Sequence, residues 1–360
     1  MPVIAAPHRA DAAERVAGRS PQLDPGQPAG ATMTRLDAKL ARIRAGKYRP
    51  SDFIIADAKD GDMGPSITAA GPKRERDGSW TRHRTRAEFL DQVRAIVAQD
   101  IVDIMLVSAS NLEVLAAQGT FAGSAVKPAI RANDTTDIWR MRRATYHLAA
   151  SRPFRTADLA QAARLTDLGL YSMTFCNDIE TDLAALDAFA AFRADARAAG
   201  FTYFLEVFNP NIACGIDPEQ IPFYVNDCIH RCLAGVMQAD RPQFLKIPYN
   251  GPKALEELAS YDPSLIVGVL GGSAGTTRDT FELLHQAERY GARVALFGRK
   301  INLAEDPLAI VSLMREVANG AVSPEEAVKA YHGTLQAQGI APTRPLADDL
   351  LITEAPLRQH

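Results

Sequence analysis

The chain has 360 residues, 47% hydrophobic and 23% charged, with a formal net charge of −3 and an isoelectric point near 6.2. That length can bury one large core or two smaller ones, and the charge balance gives no pull toward nucleic acid or anionic membrane. No run of about 18 apolar residues occurs, which argues against a spanning helix, and four scattered cysteines (Cys176, Cys214, Cys228, Cys232) argue against a disulfide framework and fit a reduced, cytoplasmic setting.

Residues 1–32 are rich in Ala, Pro, Gly and charge and lack an apolar stretch, so a disordered leader is expected there, with Met33 an alternative start. A first helix is expected from Thr34 to Gly46. Strand-like runs then alternate with amphipathic stretches. Phe53 to Asp57 is the first strand, followed by a polar loop and a helix from Arg86 to Gln99. Ile101 to Val107 is the second, with a helix near Asn111 to Gly119. Pro128 to Ala132 is a weaker third, with helices from Asp137 to Ser151 and Thr156 to Leu168. Gly169 to Phe175 is the fourth, with a long helix from Thr181 to Gly200. Thr202 to Val207, Phe244 to Pro248, Leu265 to Leu270 and Ala292 to Phe297 complete the set, the last two separated by a helix from Thr277 to Gly291.

The runs are continuously apolar rather than alternating, as in a parallel sheet covered on both faces. Eight such units over about 270 residues match a closed (β/α)₈ barrel better than an open doubly wound sheet. Ser323-Pro324-Glu325-Glu326 is a capping box that opens a terminal helix running to about Gln338. Residues 341–360 are expected to be an extended tail, which makes 33–340 a single barrel domain.

Lys246 stands out in Gln243-Phe244-Leu245-Lys246-Ile247-Pro248, because an unpaired ammonium inside a buried strand costs several kcal/mol. The chain has nine lysines against 31 arginines, so it writes Arg where only positive charge is wanted. An amine can lose its proton and attack a carbonyl, whereas a guanidinium cannot. Glu206 is the other charge in an apolar run, and period-two alternation puts Phe204, Glu206 and Phe208 on one face. Glu206 either pairs with Lys246 as a plain ion pair or shuttles protons for it, and Asp57 at the end of the first strand could serve the same way.

In a barrel, function belongs to the carboxyl ends of the strands. The seventh strand runs into Gly271-Gly272-Ser273-Ala274-Gly275 and the eighth into Gly298-Arg299, glycines and a guanidinium suited to a phosphate. A sulfonate or carboxylate would fit the same donors. Lys59 follows Asp57, and Arg131 and Asn133 end the third strand as candidate contacts for the far end of a substrate. Cys228, His230 and Cys232 lie in a helical stretch that splays them, and none of the seven histidines falls at a strand's carboxyl end. No metal or cofactor is therefore expected.

Phe204-Leu205-Glu206 followed by Phe244-Leu245-Lys246, the Gly-rich seventh end and Gly298-Arg299 together resemble the class I, Schiff-base aldolases. Within them the chain is most similar to the tagatose-1,6-bisphosphate aldolase group, its sulfofructose-phosphate aldolase relatives and the archaeal-type fructose-bisphosphate aldolases, over Leu36 to Val317. The resemblance implies a barrel that cleaves a phosphorylated or sulfonated keto sugar, with Lys246 as the Schiff-base lysine, Glu206 as the strand-five carboxylate and Asp57 as the acid closing strand one. Ser273, Gly275 and Arg299 would hold the phosphate. Tyr171 stands where tagatose-type enzymes have a strand-four lysine and would assist proton transfer, and Phe208 stands where the archaeal enzymes have a tyrosine. Lys59, if it points inward, would lower the pKa of the Lys246 amine. The partner expected is a small sugar phosphate or related anionic carbonyl compound, with assembly as a homo-oligomer. A non-catalytic sugar-phosphate binder and a Schiff-base thiolase-type relative are the alternatives.

Overall fold

In the computed structural model of the protein, residues 34–134, 141–272 and 275–359 are described. Eight parallel strands wrap into a barrel: Ile54–Lys59, Ile104–Val107, Lys127–Arg131, Leu168–Thr174, Thr202–Phe208, Leu245–Lys246, Gly268–Leu270 and Val294–Phe297. Their order around the wall is six, five, four, three, two, one, eight, seven. The seam between the sixth and seventh is bridged by backbone bonds from Leu245 to Ile266 and from Ile247 to Gly268. The (β/α)₈ class expected from the alternating runs is the class observed.

Strand periodicity divides the apolar residues into two layers. Ile54, Ala56, Leu106, Leu170, Phe204, Phe244 and Leu296 fill the barrel interior, together with Leu36 and Leu40 of the helix Arg35–Arg44. Phe53, Ile55, Met105, Tyr171, Leu205 and Phe297 face the surrounding helices. The first helix is started by Thr34, whose side chain accepts from the Asp37 amide while Asp37 answers at the Thr34 amide. It lies across the amino-terminal end of the barrel, where its Leu36 and Leu40 close the bottom.

Four local expectations change. The polar loop after the first strand carries a hairpin, Pro72–Arg74 with Trp80–His83. Of the helix expected over 137–151, residues 137–140 lie outside the described set and 141–151 form turns. There the Asn211 amide donates to the carbonyls of Tyr146 and Ala149 and accepts from the Ser151 amide, giving that backbone partners outside a helix. The helix expected over 156–168 shrinks to Leu159–Ala162.

The carboxyl-terminal segment is the fourth. It forms a helix at Leu346–Asp349 and a turn at Ala355–Arg358, and it is strapped onto the helix Thr277–Arg289. Asp349 accepts from the Thr277 amide at 2.8 Å, and Asp279 accepts from the Thr353 amide at 2.7 Å. Gln286 donates to the Leu357 carbonyl at 2.9 Å, and Leu357 is buried. No helix of the described residues is long and apolar enough to cross a membrane.

Candidate active site

A cavity of about 340 Å³ opens at the carboxyl end of the barrel. Lys246 and Glu206 meet at its floor because their strands pair in register, residue against residue. Lys246 is 6% exposed and Glu206 1%, and the Lys246 Nζ stands 2.6 Å from Glu206 Oε1. The other carboxylate oxygen accepts from Ser172 Oγ at 2.7 Å and lies 3.7 Å from the Arg131 guanidinium. Arg131 is itself held by Asp60 at 2.9 Å and Asp134 at 3.1 Å. The result is a buried network of alternating charge in which a proton lost by the Lys246 ammonium has an acceptor within hydrogen-bond reach.

Among the residues singled out from the sequence, Lys246, Glu206, Lys59, Arg131, Gly271, Gly272, Gly298 and Arg299 line this one cavity. Gly298 is required by close approach, since a Cβ there would lie 2.8 Å from the Ala58 carbonyl oxygen. The Gly271 amide is spent on the barrel ladder, donating to Leu296.

Four expected roles are corrected, and Ser273 lies outside the described residues. Tyr171 points outward and its ring stacks on Phe192 at 4.2 Å, because the inward positions of the fourth strand belong to Leu170 and Ser172. Asp57 is fully buried but shares its register with Met105 and Phe297 of the outer layer, and it does not line the cavity. Asn133 extends the ladder rather than reaching the cavity: its amide donates to the Ser172 carbonyl and accepts from the Ser172 amide. Gly275, at φ +54°, turns toward Glu354, and a Cβ on it would lie 3.0 Å from that carboxylate.

Ser172, Asp60, Lys300 and Glu354 were not foreseen as part of this region. The Ser172 hydroxyl could have been read from parity, since Ser172 and Thr174 share one face of an otherwise apolar strand. Lys300 Nζ pairs with Glu354 at 3.0 Å, tying the carboxyl-terminal strap beside the seventh-strand loop. No local pattern announces a pair 54 residues apart.

Asp57 and Lys59 form a second buried pair, 3.3 Å apart without meeting hydrogen-bond geometry. Burial pushes the Asp57 carboxyl up to about 6 against the opposing pull of Lys59, and burial lowers the Lys59 amine against the pull of Asp57. A carboxyl whose folded pKa is raised holds its proton longer in the native state than in the unfolded chain. Its contribution to stability therefore falls as pH rises from about 3.8 to about 6. Asp57→Asn removes that dependence, so urea unfolding at pH 4 and pH 6.5 should show the variant gaining on the wild type at the higher pH. An unchanged difference would contradict the raised carboxyl.

Among the described residues no group of three or more His, Cys, Asp or Glu side chains is arranged to hold a metal ion. The His230 ring lies against Tyr261 at 4.2 Å.

Solved structures share this architecture. A crystal structure of an archaeal fructose-1,6-bisphosphate aldolase superposes with a TM-score of 0.57 at 15% identity, covering 79% of this chain and 99% of that one. A structural study of reaction intermediates of the Schiff-base-forming fructose-1,6-bisphosphate aldolase gives the same values. A structure from Corynebacterium glutamicum matches with a TM-score of 0.53 at 17% identity, covering 80% of this chain and 98% of that one. At these identities the likeness is one of fold, the (β/α)₈ barrel. No protein-family model and no curated protein sequence matches the chain.

Proposed function

We propose that the protein is a class I aldolase, catalysing reversible carbon–carbon cleavage of a phosphorylated or sulfonated keto sugar through an imine on Lys246. One observation carries the reading: an amine buried at a strand end opens onto a cavity, with a carboxylate 2.6 Å away to take its proton. The architectural likeness to Schiff-base aldolases supports it.

In this mechanism Glu206 accepts a proton from the Lys246 ammonium, and the free amine adds to the substrate carbonyl. The carbinolamine loses water with a proton returned through Glu206, leaving a protonated imine. That imine draws the electron pair of the breaking bond and becomes an enamine, which is reprotonated and hydrolysed. Ser172 and Arg131 keep Glu206 aimed at the nitrogen. Arg299, at the exposed rim, and the cavity-lining backbone at Gly272 suit the anionic end of the substrate.

Intact mass after borohydride reduction tests this, with dihydroxyacetone phosphate and a panel of keto and aldehyde phosphates as probes. A covalent adduct that maps to the Lys246 peptide is expected. Affinity without any adduct would instead mark a sugar-phosphate binder, and adducts formed only with acyl-bearing ketones would mark a thiolase-type relative.

A further inference from the structure

We infer that the substrate carries a single anionic group, and that Asp60 is the residue that keeps a second phosphate out. The inference rests on the aldolase reading and narrows its substrate class. Side-chain parity places the group. Ile54 and Ala56 of the first strand fill the barrel interior and Ala58 packs against that layer, and Asp60, two residues on, lines the cavity above them. Asp57 and Lys59 have the opposite parity. On the third strand, Arg131 shares the inward parity of Ala129 and lines the same cavity.

In the strand order the third strand stands as far from the seventh in one direction as in the other, so the two face each other across the cavity. The seventh and eighth ends present Gly272 and Arg299 to an anion. The third-strand side is different, because each guanidinium nitrogen of Arg131 is already engaged. Its Nε donates to the Asn133 carbonyl at 3.0 Å, Nη1 to Asp60 at 2.9 Å and Nη2 to Asp134 at 3.1 Å, with Glu206 3.7 Å away. Among the described residues, this side of the cavity therefore shows the carboxylates of Asp60 and Glu206, with Arg131 committed to both and Lys246 reserved for the imine. A phosphate arriving there would have to take Arg131 from a carboxylate and then sit beside it. Like charges held together away from bulk water repel strongly.

The same carboxylate suits a neutral, hydroxylated end. The Asp60 side chain is 7% exposed, and among the described residues its carboxylate takes one hydrogen bond, from Arg131. Two carboxylate oxygens can accept about four, which leaves capacity for substrate hydroxyls. A keto sugar anchored by its phosphate at the seventh and eighth ends, with its carbonyl at Lys246, extends its remaining carbons toward this wall. The fragment released from that end is then an uncharged polyhydroxy aldehyde.

The condensation direction tests this, with dihydroxyacetone phosphate as donor and D-glyceraldehyde or D-glyceraldehyde 3-phosphate as acceptor. Wild type should favour the uncharged aldehyde in kcat/KM by about 10²-fold or more, the scale of setting an added phosphate against buried carboxylates. Asp60→Asn keeps the shape and removes the charge, and should shift that ratio by about 10-fold or more toward the phosphorylated aldehyde. Asp60→Glu restores the charge and should keep the wild-type preference. Both acceptors are read on the same sample, so the ratio is unaffected by any fraction of a variant that fails to fold. A wild-type ratio near one, a preference for the phosphorylated aldehyde, or a ratio unmoved in Asp60→Asn would overturn the inference and leave the aldolase reading standing. Failure of glyceraldehyde to react although the donor forms its adduct on Lys246 would do the same. Absence of the dihydroxyacetone phosphate adduct would also overturn the inference, and absence of an adduct across the whole panel of keto and aldehyde phosphates would overturn the aldolase reading with it.

Discussion

Lys246→Met is expected to abolish both the borohydride-stable adduct and turnover, lowering the rate by more than about 10⁴-fold, the scale of removing a covalent nucleophile. Methionine keeps the length and apolar stem of lysine, so the sixth strand and its pairing with the fifth have no steric reason to change. Glu206 loses its 2.6 Å partner but keeps the Ser172 hydroxyl and the nearby Arg131 guanidinium. A folded, inactive variant with an unaltered circular dichroism spectrum is therefore the expected result. A surviving adduct would mean that a different lysine forms the imine, and full turnover without an adduct would refute Schiff-base chemistry altogether.

The largest effect on stability is expected at the opposite end of the barrel. Asp103 is fully buried and accepts from Arg35 at 3.0 Å, Lys39 at 2.9 Å, Arg315 at 2.9 Å and the Ile55 amide at 2.9 Å. One carboxylate thus ties the first helix, the helix Pro307–Ala318 and the first strand together. Asp103→Leu leaves those cations facing one another, at a cost of about 3–5 kcal/mol, the range for stripping one partner from a buried ionic cluster.

The pH dependence has a defined sign. Burial lowers the Lys39 amine to about 8 in spite of Asp103, so the native state releases that proton before the unfolded chain does. Stability from this group rises between about pH 8 and 10.5. Without Asp103 the amine is depressed further and the relief begins at lower pH. Urea unfolding should therefore show a smaller penalty for the variant at pH 9 than at pH 7. A penalty below about 1 kcal/mol at pH 7, as for an exposed pair, would contradict the cluster's importance.

The barrel was legible because eight apolar runs at even spacing have few other ways to bury both faces. Lys246 and Glu206 were legible for the same reason: a charge in such a run is conspicuous. Side-chain direction was harder to read. In a strand apolar on both faces nothing local fixes parity, so Tyr171 and Asp57 were assigned inward while the fold turns them outward. The carboxyl-terminal strap was missed because its anchors, Asp279, Gln286 and Lys300, are long-range partners, and Pro with mixed charge reads equally well as loose chain. Of the helix expected over 137–151, the described residues 141–151 form turns instead, where a distant asparagine, Asn211, supplies the backbone with other partners.

Because Leu36 and Leu40 stopper one end of the cylinder, the chamber is a blind alley. On the aldolase reading proposed above, whatever enters must come back out by the same doorway, so a cleavage that splits one molecule in two has to discharge its pieces in sequence, the outer fragment before the inner. Such a queue makes the second fragment a trap for the first, and an excess of the outer piece in solution pushes the process backward before the inner piece can escape.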